Sequence, residues 1–184
     1  MTGLLINFAS ALGTFFAALV ALHLGLDAQR RSLRIDDARA SIAAARLISR
    51  VERIGLRLDW TIQAVLYKGD NNGRFRYLLM GIRGNDLSDE SLEFSDEELL
   101  GLTPLGNKCP ITIALCTTEI VRIRRSIEFY EEIFKDLRSG KEKDDLVEQW
   151  MASLQAVSSD LRSSYLTLNS AVANTKLGDR PVAA

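Results

Sequence analysis

Residues 45–57 read ARLISRVERIGLR and place Arg46, Arg50, Arg53 and Arg57 at intervals of four, three and four. This spacing puts the four guanidinium groups on one face of an α-helix, because a helix turns by about 100° per residue. A separate stripe of the same helix is apolar: Leu47, Val51, Ile54, Leu58, Ile62 and Val65. The stretch therefore predicts a long helix that packs along one face and carries arginines on another.

The segment that precedes this helix is apolar. Residues 4–26 contain no Asp, Glu, Lys or Arg, and as a helix they would extend about 34 Å, compared with about 30 Å for a bilayer core. A transmembrane helix is the favoured interpretation, and a secretory signal peptide and a buried core helix are the alternatives. Basic side chains follow the run, so the positive-inside rule predicts a single-pass protein of the bacterial inner membrane, with its N-terminus outside and its C-terminal domain cytoplasmic.

The rest of the chain shows helical periodicity and predicts an all-α membrane protein, in which one N-terminal transmembrane helix continues into a cytoplasmic antiparallel helical bundle. The predicted parts are a transmembrane helix at 1–28, its cytoplasmic extension at 29–68, a short helix and an acidic connection at 69–109, two long helices at 110–174 and a disordered tail at 175–184. Within the connection, Ser95 and Glu98 have the spacing of a capping box.

The near-neutral composition hides two halves of opposite charge. The chain has a formal net charge of −1, but residues 27–83 carry 12 basic and 6 acidic side chains, whereas residues 84–184 carry 11 basic and 18 acidic ones. The distal half is therefore acidic and predicts, as one hypothesis, a surface that docks a basic protein partner.

One face of the first helix is small and polar before it becomes basic. Projection at helical period puts two sets of residues in the same sector: Asn7, Ser10, Thr14, Ala17 and Ala21, followed by Arg39, Arg46, Arg50, Arg53 and Arg57. The first set indicates either close helix packing or the lining of a pore, and both require several copies of the chain. We therefore expect a homo-oligomer of about four copies.

Three interpretations apply to the basic residues. The five arginines from Arg39 to Arg57, here called the arginine ridge, would form salt bridges with acidic residues of the last helix, such as Glu148, or bind an anionic ligand on the axis of the oligomer. A nucleotide or a short single-stranded nucleic acid has the phosphate groups that arginine binds well. Lipid headgroups of the bilayer are the third partner, and they suit the arginines next to the apolar run: Arg30, Arg31 and Arg34.

The sequence contains none of the common catalytic or cofactor-binding signatures. It has no Walker loop, no GxGxxG, no GxSxG and no HExxH, so we expect neither enzymatic activity nor a cofactor or metal. Cys109 and Cys116 lack the spacing of a zinc site and are interpreted as small apolar residues on a helix.

The apolar run at residues 4–26, the arginine ridge and the compact helical remainder together resemble the small single-pass membrane effector subunits of bacterial anti-phage defence systems, such as the transmembrane partner of Hailong nucleotidyltransferases. The resemblance implies a homo-oligomeric channel gated by a nucleotide or oligonucleotide that a partner enzyme synthesises. The ligand would bind in a cytoplasmic arginine vestibule. The alternative function is a non-conducting, membrane-anchored helical adaptor that docks a protein partner through its acidic distal half.

Overall fold

The computed structural model describes the backbone of residues 2–67, 71–106, 108–136 and 140–178, and the side chains of residues 15–67, 73–106, 108–131, 133 and 141–173. Within these ranges the protein contains helices and no strand. The helices are α1 (Thr2–Tyr67), α2 (Asn71–Ile82), α3 (Asp89–Leu92), α4 (Asp96–Gly101), α5 (Lys108–Asp136) and α6 (Gly140–Gly178), with 3₁₀ turns at Asn85–Leu87 and Thr103–Leu105. The prediction of an all-helical, bundle-like fold is confirmed.

The chain divides into two compact units, residues 1–39 and residues 40–184. Unit 1 consists of the first part of α1. Unit 2 contains the remainder of α1 and all the other helices, and its core is formed mainly by α1, α5 and α6, with α2 adding Leu78 and Ile82. Each large aliphatic side chain that is fully buried there contributes about 1.5–3 kcal/mol to folding.

The core of unit 2 follows the apolar periodicity of its three long helices. From α1 it takes the predicted stripe, and from α5 and α6 it takes side chains that recur every three, four or seven residues. The fully buried members from these three helices include Leu47, Ile54, Leu58, Ile113, Ile120, Ile123, Ile127 and Leu154. The polar faces of the same helices remain at the surface, as expected for amphipathic helices in a bundle.

Local sequence signals explain how the connections begin and end. The Ser95 backbone N–H donates to Glu98 Oε2 over 2.9 Å, and the Glu98 N–H donates to Ser95 Oγ over 3.2 Å, so the predicted capping box is confirmed. Gly106 precedes α5 with a φ of 103°, a left-handed value that glycine adopts without steric cost. Pro110 lies in the first turn of α5, where its missing N–H removes no helical hydrogen bond.

The predicted transmembrane span is wrong, and so is the predicted localisation as a single-pass inner-membrane protein with its N-terminus outside. No helix in the described part of the chain is long and apolar enough to cross a bilayer. From Asp27 onwards α1 carries charged side chains, among them Arg30, Arg31 and Arg34, which a bilayer core does not accommodate.

Candidate functional site

Unit 1 exposes an apolar helix. Between Phe15 and Leu26 the large apolar side chains are 44–63% exposed within the described structure. They cover roughly half of the helix circumference, and the small residues Ala17, Ala18 and Ala21 lie on the other side. The large apolar side chains are Phe15, Phe16, Leu19, Val20, Leu22, Leu24 and Leu26. A surface of this kind marks a site of contact with another molecule, because isolated soluble chains rarely leave a large contiguous apolar patch in water.

The predicted pore-lining residues are only partly described. Ala17 and Ala21 are exposed, whereas Asn7, Ser10 and Thr14 lie outside the described side chains. A lining role presupposed a helix that crosses the bilayer, and it is therefore not retained.

The predicted lipid-contacting arginines lie at the surface of unit 1. Arg30 and Asp27 form an ion pair at 3.9 Å, and Arg31 and Arg34 are exposed. The headgroup role required a membrane span beside these residues, and no described helix is long and apolar enough to form one. Arg39, the ridge member in unit 1, forms an ion pair with Asp36 at 4.0 Å.

Arg50 binds the connection between α3 and α4. Its Nε donates to the carbonyl oxygen of Ser91 over 2.9 Å, and its Nη2 donates to the carbonyl oxygens of Glu90, over 3.1 Å, and Glu93. Its Nη1 lies 3.5 Å from Glu98 Oε2, and its guanidinium group stacks on Phe94 at 4.0 Å from the ring centre. These contacts satisfy carbonyl groups at the end of α3, which lack helical partners.

Arg57 makes a similar set of contacts at the end of α2. Its Nε and Nη2 donate to the carbonyl oxygens of Gly81 and Met80 over 3.2 and 3.1 Å. A positive charge is favourable there, because the carbonyl end of a helix carries partial negative charge. Gly84 lies against the same guanidinium group, and a Cβ atom at this position would be 2.4 Å from Arg57 Nε. Two of the five ridge arginines are thus engaged by backbone carbonyl groups of their own chain.

The other two ridge arginines of unit 2, Arg46 and Arg53, are exposed. They form no ion pair with any residue that the structure describes. Glu148, an acidic candidate on the last helix, instead lies 4.0 Å from Arg74. Arg46 and Arg53 alternate with other exposed side chains at intervals of four and three, and together they form what we call the basic strip: Ile42, Arg46, Ser49, Arg53, Leu56 and Trp60.

An acidic segment lies beside the basic strip. Residues 85–98 contain seven carboxylates and no Lys or Arg. Asp89 pairs with Arg124 and Glu98 with Arg50, which fixes the segment on α5 and α1. The side chains of Glu90, Glu93, Asp96 and Glu97 are exposed and have no ion-pair partner among the described residues.

Next to the acidic segment is an open groove of about 450 Å³ between α4 and the start of α5, lined by Asp96, Leu99, Leu100, Thr103, Pro110 and Ile111. Leu100 is 69% exposed and Ile111 57%. The groove is mainly apolar, and acidic side chains border it on one side. This combination fits a partner that presents aliphatic or aromatic side chains together with positive charge.

A second groove, of about 660 Å³, runs along α5 and is lined by side chains of both signs, among them Asp89, Glu93, Arg122 and Arg125. Arg122 donates twice to Glu119, over 2.7 and 2.6 Å, and this hydrogen bonding lowers the pKa of the Glu119 carboxyl. Arg124 donates to the carbonyl oxygen of Leu87 over 2.8 Å. Sequence reasoning missed this structural role of Arg124, because no local pattern relates α5 to a turn 37 residues earlier.

The two cysteines are buried, as small apolar residues would be. Burial, reinforced by the negative charge of Asp160, raises the pKa of Cys116 to about 11, and burial alone raises that of Cys109. Both thiols are therefore poor nucleophiles in the folded protein. The described residues also contain no group of three or more side chains that could hold a metal ion.

The thiol environment leads to a prediction on labelling. At pH 8 we expect both cysteines of the native protein to react with iodoacetamide at least about tenfold more slowly than after unfolding in guanidinium chloride, because a buried neutral thiol is a poor nucleophile. Since the pKa of Cys116 in the folded state lies above its ordinary value of 9.0, its contribution to stability is complete below pH 9 and is lost as the pH rises towards 11. Mass spectrometry of quenched samples measures the labelling, and equal rates in both states would contradict the prediction.

No family model, curated protein or solved structure matches the chain. The resemblance to anti-phage effector subunits stays a prediction.

Proposed function

We propose that this protein is a non-catalytic, homo-oligomeric helical adaptor. In this proposal, unit 1 brings copies of the chain together, and unit 2 provides an acidic surface that docks a basic protein surface. The observation that carries the proposal is the exposed apolar helix of unit 1, whose large side chains between Phe15 and Leu26 are 44–63% exposed. The pore expected from the sequence required a bilayer-spanning helix and forms no part of this proposal.

The spacing of the exposed side chains supports a second copy as their partner. Phe15, Leu19, Leu22, Leu26 and Leu33 follow one another at intervals of four, three, four and seven, which is the repeat of a helical coiled coil. Gln29 occupies the one polar position of this seam. Because each identical copy presents the same seam, two or more copies provide knobs and holes for one another, and each leucine removed from water contributes about 1.5–3 kcal/mol.

The acidic surface of unit 2 supports the adaptor part of the proposal. Asp96 lines the groove that contains Leu100 and Ile111. Glu90, Glu93 and Glu97 belong to the same acidic segment and, like Asp96, are exposed without an ion-pair partner among the described residues. Apolar contacts of this kind provide affinity, and surrounding charges select the partner and increase the rate of association.

The double substitution Leu22→Glu/Leu26→Glu tests the assembly of unit 1. We expect the wild-type protein to have a solution mass that is a multiple of the 20.4 kDa chain, and the double variant to form assemblies of fewer copies, because two carboxylates would have to be buried in each seam. Light scattering coupled to size-exclusion chromatography measures the mass, and circular dichroism verifies that the variant remains helical.

A control with the same chemistry is available on the opposite side of the helix. Leu24 is 63% exposed but lies outside the seam, so Leu24→Glu should leave the mass unchanged. A wild-type protein that stays monomeric at all concentrations would contradict the proposal. Equal loss of assembly in the seam variant and in Leu24→Glu would show that general apolarity, and not the seam, holds the copies together.

A further inference from the structure

We propose that the basic surface docked by the acidic segment is the basic strip of a second copy of unit 2, so that two units pair across a two-fold axis. The inference rests on the proposed function, because it names the partner of the acidic surface. It places Arg46 and Arg53 of one copy against the exposed carboxylates of residues 90–97 in the other copy, and the same contacts occur a second time in the opposite direction.

The composition of the basic strip resembles that of a protein interface. Within it, Ile42 is 57% exposed, Leu56 61% and Trp60 46%, and they alternate with the two unpaired arginines. Tryptophan and arginine dominate the binding energy of many interfaces, since both combine a large contact area with hydrogen-bond donors. Neighbouring arginines on one helix face also repel one another, so an acidic surface placed opposite them removes an existing cost.

The acidic segment is complementary to this strip. It exposes Glu90, Glu93, Asp96 and Glu97, and Leu100 beside them is 69% exposed. Both surfaces therefore combine large apolar side chains with charges of a single sign, and the signs are opposite. Complementary potentials of this kind orient two proteins before contact and exclude other orientations.

The position of Arg50 explains why the pairing is reciprocal. This residue belongs to the same helix face as the basic strip, and it binds the carbonyl oxygen of Ser91 over 2.9 Å and the Glu98 carboxylate at 3.5 Å. The strip and the segment therefore adjoin on one face of unit 2. A two-fold axis through such a face brings each strip onto the segment of the other copy, as in the symmetric interfaces of most homodimers.

The pairing is intermolecular, because the strip does not close on the segment of its own chain. Arg46 and Arg53 remain exposed although the segment lies beside their helix. A nucleic acid is a less suitable partner for the same arginines. The seven carboxylates of residues 85–98 adjoin the strip and would repel a polyanion, whose binding depends on neutralising phosphates.

Charge reversal tests the pairing. The full chain carrying Leu22→Glu/Leu26→Glu serves as background, so that assembly through unit 1 does not mask contacts of unit 2. In this background we expect a dimer, and we expect Arg46→Glu/Arg53→Glu or Glu93→Lys/Glu97→Lys to weaken dimerisation at least about tenfold, because each places like charges opposite one another. An equimolar mixture of the two charge variants should restore a dimer, since both reciprocal contacts then join opposite charges. Sedimentation equilibrium at low and high salt measures the dissociation constants.

A matched control changes the net charge by the same amount elsewhere. Arg76 and Lys141 are exposed on α2 and α6, and Arg76→Glu/Lys141→Glu should leave the dissociation constant unchanged. An equal effect of this control, or a mixture that stays monomeric, would overturn the pairing. So would tight binding of a fluorescent single-stranded oligonucleotide that is lost in Arg46→Glu/Arg53→Glu without a change in dimerisation, because this result would assign the strip to nucleic acid.

The two proposals fail in different experiments. If the seam of unit 1 is not an interface, Leu22→Glu/Leu26→Glu leaves the mass of the otherwise wild-type chain unchanged, and the charge variants are then compared in that chain. If the pairing of unit 2 is wrong, the charge variants have no effect in either chain, while the seam variant still loses assembly.

Discussion

Replacement of Arg50 by alanine is expected to lower the free energy of unfolding by about 2–4 kcal/mol. The guanidinium group bonds three carbonyl oxygens, pairs with Glu98 and stacks on Phe94. A hydrogen bond that involves a charged group contributes about 1.5–3 kcal/mol, although the bonds of one side chain do not add fully. Without Arg50, the end of α3 loses the donors that hold it on α1. Urea denaturation followed by circular dichroism measures the change.

Arg50→Lys and Arg76→Ala are the variants with which Arg50→Ala is compared. Lysine keeps the charge but has no planar fork that can bond several carbonyl groups at once, so we expect it to lose most of the same free energy. Arg76 is exposed on α2, and its replacement should change stability by no more than about 0.5 kcal/mol. If Arg50→Ala lowers the free energy of unfolding as little as Arg76→Ala does, the contacts of Arg50 with residues 90–93 contribute little to stability. Arg50 would then be a surface arginine of the same kind as Arg46 and Arg53.

The arginine ridge shows how far the sequence could predict the site. Its spacing indicated a helix, and α1 is helical through all four arginines from Arg46 to Arg57. The same spacing could not separate Arg50 and Arg57 from Arg46 and Arg53, because neighbouring members differ by only about 40–60° around the helix. Which of them meets a carbonyl group depends on where residues 80–98 pack, and that packing is a long-range property.

Other features divide in the same way between local and long-range causes. The capping box at Ser95 and the apolar stripe of α1 follow from neighbouring residues, and the sequence predicted them. The membrane span was predicted from the absence of charge over residues 4–26, and no helix of the described residues is long and apolar enough to cross a bilayer. The contact between Arg124 and Leu87 had no local signal at all.

Substitution of Gly81 by alanine is expected to cost about 2–4 kcal/mol, although alanine is the better helix former. A Cβ atom at Gly81 would lie 2.3 Å from both Cγ2 and Oγ1 of Thr61 and 2.7 Å from its Cβ. Thr61 is fully buried, and its hydroxyl donates to the carbonyl oxygen of Arg57 over 2.8 Å. A β-branched side chain held in this way has few alternative rotamers, so α2 would have to move away from α1. The movement would also stretch the 3.2 Å hydrogen bond from Arg57 to Gly81.

Gly55→Ala is the matched control, because a Cβ atom there meets no atom within 4 Å. It should stabilise the protein by up to about 1 kcal/mol, which is the difference in helix propensity. A double-mutant cycle then isolates the contact: in a Thr61→Gly background, all three clashing atoms are absent, and Gly81→Ala should become neutral or stabilising. Thermal and urea unfolding of the four chains measure the coupling. If Gly81→Ala stabilises the wild-type protein as Gly55→Ala does, α1 and α2 do not approach each other as closely as the Thr61–Gly81 contact requires. The hydrogen bonds from Arg57 to the end of α2 would then be contradicted as well.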